Sequence, residues 1–341
     1  MSEPGPLQPF LEIRPEGLYS PAFEAFVDPP VPAARAIVTH AHSDHAAPGH
    51  GQLWATPETM AVYRRRNPEW TGEARGLRYG ERVEGNGVSL ALHPAGHVLG
   101  SAQVFFESDG DSLLVTGDFR RGASRTAVPA AAPHARVLAT ETTFGLPVFR
   151  FPERRVAEDS LVAACREAFE EEKVPVLLAY GFGKAQEAVL ALTEAGIPTV
   201  LHGGAWKLLP EFEAAGHAFP LSRAYETGPA APGEALVVPP SCARTPVVRN
   251  VKRRRIVYLS GWAIREASRA DFDADVLLPM SDHADFSELL RHVADVAPER
   301  VVTMHGYARD FARILLSRGV PAEALPSARE TVTEAREEDE D

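Results

Sequence analysis

Five times before residue 142, an apolar run of this chain stops at a carboxylate or an imidazole. "FEAFVDP" leads to Asp28, "ARAIVTH" to His40, "GVSLALHPAGH" to His97, "SLLVTGD" to Asp118 and "ARVLATE" to Glu141. Apolar stretches of this length read as strands, and "AQVFFES" with "SLLVTGD" reads as a hairpin. A packed sheet projects the residues after its strands from one edge, so the repetition demands a sheet-based core with polar chemistry gathered in one crevice. The densest instance is "THAHSDH", which places His40, His42, Asp44 and His45 within six residues. Two imidazoles one residue apart on a loop can face one metal, and the Asp-His pair beside them can serve a second.

Length allows one large domain or two ordinary ones, since 341 residues with 45% hydrophobic content can bury a sizeable core. The sequence has no apolar run long enough to span a bilayer, and the start "MSEPGPLQPF" has no signal-peptide pattern, so a cytoplasmic protein with no membrane partner is expected. Cys165 and Cys242 are too far apart for a metal-binding pair and are expected as unpaired thiols. The net charge of −12 argues against a polyanionic partner. Two features weaken that objection. The tail "EAREEDED" concentrates acid at one end, and the basic residues cluster at Arg64 to Arg66, at Arg120, Arg121 and Arg125, and from Arg249 to Arg255. Clustered cations of this kind are the footprint of a nucleic-acid track.

After Phe149 the pattern alternates helix and strand, which predicts βαβ units on a parallel sheet. "YGFGKAQE" opens one of the helices. Its backbone N–H groups at Gly183, with Lys184, are candidates for holding a substrate phosphate. "SGW" ends a later strand, where Trp262 is expected to pack in the core rather than stack on a base. "MSDHADF" then exposes His283, and "VVTMHG" ends a last strand at His305.

The order Asp28, HxHxDH, His97, Asp118 resembles the motif series of the metallo-β-lactamase fold. Most members of that fold reach their last histidine soon after the aspartate, whereas here a long stretch separates Asp118 from His305. Glu141 in "ATETTFG", His283 in "MSDHADF" and His305 in "TMHG" resemble motifs A, B and C of the β-CASP group, nucleases with a second domain inserted into that fold. Within the group, "EGLYSP", "VTHAHSDHAAPGH", "PAGHVLGSAQV", "YGFGKAQE" and "HGYA" look most like the bacterial ligase-associated DNA exonucleases.

The resemblance implies an α/β chain, an αββα four-layer sandwich over residues 1–149 and 266–330 interrupted by a β-CASP domain over 150–265, with an acidic disordered tail at 331–341. It implies two zinc ions, with manganese as a substitute. His40, His42 and His97 would hold one, Asp44, His45 and His305 the other, Asp118 would bridge them, and Asp28 would orient a ligand imidazole. Two such cations suit in-line attack on a phosphodiester. His283, oriented by Glu141, would protonate the leaving oxygen. The expected function is DNA exonuclease action in repair, alongside an ATP-dependent DNA ligase and a helicase. His305 points the other way, toward RNA-processing members such as RNase J, because the crosslink-repair nucleases resemble Val at that position. A hydrolase of small esters would leave the insertion, Glu141 and His283 unexplained, and a catalytically dead scaffold would not need the whole ligand set.

Overall fold

The computed structural model describes residues 5 and 7–325, and the acidic tail lies outside them. Three sheets form the scaffold. The first runs in chain order through Glu12–Arg14, Gly17–Ser20, Ala25–Val27, Arg35–Ile37, Gln52–Ala55 and Glu73–Gly76. The second is ordered Ala322–Ala324, Arg300–Met304, Val137–Glu141, Asp111–Val115, Ala102–Ser108, Val88–Pro94 and Arg82–Gly85, and it contains the expected hairpin between Ala102–Ser108 and Asp111–Val115.

Side-chain alternation fixes what each sheet covers, because successive residues of a strand face opposite sides. Val27, Ile37 and Trp54 of the first sheet share a core with Leu90, Val104, Leu113 and Ala139 of the second. The other face of the first sheet, through Ala36, Val38 and Leu53, packs on Met60 and Tyr63 of the helix Pro57–Arg66. The other face of the second, through Phe105, Leu114, Leu138 and Val301, packs on Phe286, Leu289 and Val293 of the helix Phe286–Val296 and on Phe311 and Leu315 of the helix Ala308–Ser317. Helix, sheet, sheet and helices therefore stack in that order.

The third sheet is wholly parallel, in the order Ser222–Ala224, Thr199–Leu201, Ala235–Val238, Val174–Leu178, Arg254–Leu259, Val276–Leu278. Its inner strands, such as Val174–Leu178 and Ala235–Val238, read as continuous apolar runs because both faces are covered. Leu177, Val237 and Val257 enter one core while Val176, Leu236 and Ile256 enter another. Val276–Leu278, beyond the boundary expected at residue 266, pairs with Arg254–Leu259 in this third sheet. Cys165 and Cys242 lie in its two separate cores as free thiols. No helix among the described residues is long and apolar enough to cross a membrane.

Register explains why the polar residues meet. Val115 pairs with Ala139, and Glu141 pairs with Met304, so three parallel strands end nearly level. Asp118, Glu141 and His305 consequently leave the second sheet at one edge. Asp28 and His305 both take left-handed backbone angles there, φ 44° and 57°. That region is open to Asp and His far more readily than to β-branched residues.

Candidate active site

Three imidazoles surround one carboxylate oxygen, and a fourth lies against one of them. Asp118 Oδ2 lies 3.4 Å from His45 Nε2, 3.5 Å from His40 Nε2 and 3.7 Å from His97 Nε2, while His42 Nδ1 is 3.1 Å from His97 Nε2. His40, His42, His97 and Asp118 each offer a donor atom within 4.8 Å of the others, and Asp28, His40 and His45 form a second such group.

The outer nitrogens of these rings set their tautomers. His97 Nδ1 faces the Asp282 carbonyl at 2.8 Å and His42 Nε2 the Phe182 carbonyl at 3.2 Å, so both must donate. His45 Nδ1 donates to Asp28 Oδ2 at 2.8 Å. Thr39 Oγ1 spends its proton on Asp28 Oδ2 and so accepts from His40 Nδ1 at 3.1 Å. The inner nitrogens of His40, His42 and His97 are then bare lone pairs aimed at a carboxylate or at one another, and buried His40 Nε2 has no hydrogen-bond partner at all. Such a convergence is repulsive without a cation. His42 and His97 stand about as far apart as two nitrogens each ~2.0–2.1 Å from one tetrahedral zinc.

Electrostatics agree with neutral rings at His40 and His97 and differ at His45. Burial pushes the His40 imidazole well below its usual range and that of His97 down to about 3. Burial works against charge on His45 too, yet Asp118 and Asp28 raise it well above the usual range, so without a metal that ring takes up a proton. Burial would raise the Asp118 carboxyl, but His45 and His283 outweigh it and hold it well below.

His283 stands beside the cluster, its Nδ1 3.1 Å from Glu141 Oε1 and 4.0 Å from Asp118 Oδ2. Burial opposes its charge, but Glu141 and Asp118 together push it up to about 9. Glu141 is held in turn by the Phe119 N–H at 2.9 Å and the Thr143 hydroxyl at 2.5 Å.

Asp44 and His305 remain at the margin. The Asp44 side chain is 77% exposed, with Oδ2 4.0 Å from His45 Nε2, and the exposed His305 ring lies 6.1 Å from that of His45. Both line a cleft of about 1720 Å³ that also takes in Asp28, Arg66, Tyr180, Phe182, Trp262 and His283. Its walls come from strands and loops of the first two sheets and from the turns that follow strands of the third. Trp262 packs there against Phe144 and Phe149, at 4.8 and 5.5 Å between ring centroids.

The phosphate-binding expectation at Gly183 and Lys184 is corrected. The Gly183 N–H is taken by Gln186 Oε1 at 2.8 Å, and Lys184 is buried with Nζ 2.7 Å from Asp282 Oδ1. Several cations of the basic clusters are already paired within the protein. Arg65 pairs with Glu211, Arg121 with Asp295, Arg125 with Glu158 and Glu194, Arg253 with Glu172, and Arg255 with Glu167 and Glu171. Arg66 alone of these clusters lines the cleft, with its guanidinium on the Ala41 carbonyl and over the Phe182 ring. Asp282 and the Phe182 carbonyl were missed. The acid beside His283 in "SDHADF" was a usable signal, whereas a backbone carbonyl carries none.

No family model matches the chain. A probable DNA ligase of Opitutus terrae is 37% identical over 311 residues, which take in 91% of this chain and 30% of that protein. An RNase J-like protein of Methanocaldococcus jannaschii is 34% identical over 33% of this chain and 28% of its own length. Cleavage and polyadenylation specificity factor subunit 3 of Dictyostelium discoideum is 33% identical over 35% of this chain and 15% of its own length. The chain is a relative of the metallo-β-lactamase-type β-CASP nucleases. It spans no more than 30% of the length of these β-CASP relatives. A crystal structure of a protein of unknown function from Enterococcus faecalis V583 shares the fold, with a TM-score of 0.62 at 16% identity over 87% of this chain and 79% of that one.

In this β-CASP relative, Asp28 accepts from His45, from the Thr39 N–H at 2.7 Å and from the Thr39 hydroxyl. Asp28→Asn keeps the shape and the left-handed backbone but loses the charge that orients His45. Metal affinity is expected to fall about 10- to 100-fold, the usual cost of losing such a partner, with little change in melting temperature. Chelator competition measures it, and an unchanged affinity would mean His45 needs no carboxylate.

Proposed function

We propose that this protein is a zinc-dependent DNA exonuclease that hydrolyses phosphodiester bonds in repair. In this reading the first two sheets and their helices are the metallo-β-lactamase αββα sandwich. The third sheet is the inserted β-CASP domain, running from about residue 150 to Leu278 because Val276–Leu278 belongs to that sheet. The observation that carries the function is the ring of bare imidazole nitrogens around Asp118, with a carboxylate-held His283 beside it, in a cleft open to a polymer.

His40, His42 and His97 would hold one cation and His45, with Asp44 and His305 drawn in from the cleft margin, the other; Asp118 would be shared. Two divalent cations, zinc or in its place manganese, would supply an acidified water and neutralise phosphate charge. Asp28 keeps the His45 ring in the tautomer a ligand needs. His283 carries a proton toward the leaving oxygen, and Glu141 keeps it charged and aimed.

The preference for DNA rests on the relative named a probable DNA ligase. It matches nearly the whole of this chain yet is several times longer, so one polypeptide there joins a region like this one to others. A partnership with an ATP-dependent DNA ligase and a helicase follows from the same reading. The RNA alternative is favoured by His305 and by the RNase J-like relative, over a shorter span. Single-stranded DNA and RNA of one sequence, labelled at either end and incubated with zinc or manganese, test the choice. Stepwise, metal-dependent loss of DNA is expected; faster loss of RNA would overturn the DNA assignment. A protein that purifies without metal and cleaves neither would point to a scaffold.

A further inference from the structure

We infer that Lys184 is a positioning residue for this centre, acting through Asp282; the inference rests on the metal-dependent reading above. Lys184 begins the helix Lys184–Glu194, packed on the third sheet, whereas Asp282 lies in the loop that leads into the helix Phe286–Val296 of the outer layer. Their charged groups meet at 2.7 Å with side chains only 5% and 6% exposed. A buried ion pair is seldom more stabilising than apolar packing of the same volume, so stability alone does not account for it.

The segment that the pair holds does account for it. The Asp282 carbonyl receives the Nδ1 proton of His97 at 2.8 Å, fixing the ring whose Nε2 faces Asp118. The next residue is His283, held to Glu141. By gripping the Asp282 carboxylate, one ammonium from the third-sheet unit anchors the main-chain segment that orients a ligand imidazole and carries the proton donor. Lys184 Nζ also stands over the Tyr180 ring, 5.2 Å from its centre.

Close packing ties the same turn to the same histidine. Gly183 has φ +89°, and a Cβ there would come within 2.4 Å of Val98 Cγ1, the residue after His97. The turn that presents Lys184 is thus pressed against the loop that presents His97.

The ammonium also decides which carboxylates reach the metal. His97, Asp282 and His283 place donor atoms within 4.8 Å of one another, a set able to take a cation of its own. Lys184 supplies a tethered cation to that carboxylate and keeps it apart from the cluster formed by His40, His42, His97 and Asp118.

The test uses the full chain as Lys184→Met and as the double variant Lys184→Met with Asp282→Asn. The single variant strands a buried carboxylate and is expected to melt early; the double variant leaves no buried charge unpaired and is expected to melt near the parent protein. If the inference holds, the double variant still binds zinc about 10- to 100-fold more weakly in chelator competition. Its kcat also falls by a similar factor while KM changes little. A double variant with parental zinc affinity and parental kcat would show the pair to be only structural and overturn the inference. If the single variant does not fold, the double variant decides alone. Chelator competition needs no substrate, so a parent protein that binds zinc but cleaves neither DNA nor RNA would sink the nuclease reading and leave this test standing.

Discussion

Replacing Asp118 by Ala is expected to reduce phosphodiester cleavage by about a hundred- to a thousandfold, because the cations it would hold supply electrostatic stabilisation of that scale. Metal content should fall with it. No other side chain among the described residues has its position: one oxygen lies 3.4 to 3.7 Å from three imidazole nitrogens and 4.0 Å from the ring of His283. The carboxyl stays ionised in this setting, because His45 and His283 outweigh the effect of burial. Removing it takes away the anion shared by the two histidine groups and leaves the inner lone pairs facing one another. Asp118→Asn separates charge from shape, since the amide fills the same space, and it should be nearly as slow as Ala. The measurement is single-turnover cleavage alongside metal analysis of the same preparations. Full activity in Asp118→Ala would refute the two-cation reading.

How far such a site is legible in a sequence depends on whether its residues are placed by local rules. Asp28, His40, His97, Asp118 and Glu141 each come after an apolar run, and strands that end level at one sheet edge bring their next residues together. Periodicity alone therefore picked out residues that meet in space. The parallel third sheet was legible for the same reason, through continuous apolar strands alternating with helices.

Long-range pairing was not legible. Arg255 looked like part of a basic track until Glu167 and Glu171 came alongside it from a helix far earlier in the chain. Lys184 looked like a phosphate ligand at a helix start, and only the fold shows Asp282 waiting for it. A run of charges in sequence fixes composition, whereas the partner of each charge is fixed by packing between segments that the run does not contain. The sheet that the segment after residue 266 joins was hidden for a related reason. Val276–Leu278 is too short a strand to announce which sheet it joins, and pairing with Arg254–Leu259 decides it.

His283→Ala should slow cleavage by about 10²- to 10⁴-fold, the range for a positioned acid, while leaving metal content near that of the parent. The ring has its Nδ1 on Glu141 at 3.1 Å and so presents its other nitrogen for transfer. The pH dependence comes from the sign of its shift. Burial disfavours the charged ring, but Glu141 and Asp118 raise it to about 9, so the acid form is present at neutral pH and is lost as pH rises. Cations bound beside Asp118 would draw that value down. In the parent protein kcat should therefore decline along an alkaline limb at or below pH 9, and in His283→Ala the limb should vanish, leaving only the slow residual rate without that pH dependence. Glu141→Gln keeps the ring but weakens its hold on the proton, so its limb should move to lower pH, and its loss at neutral pH should be smaller than that of His283→Ala. Loss of zinc in His283→Ala would make the residue a ligand, and an unchanged alkaline limb would assign the proton to another group.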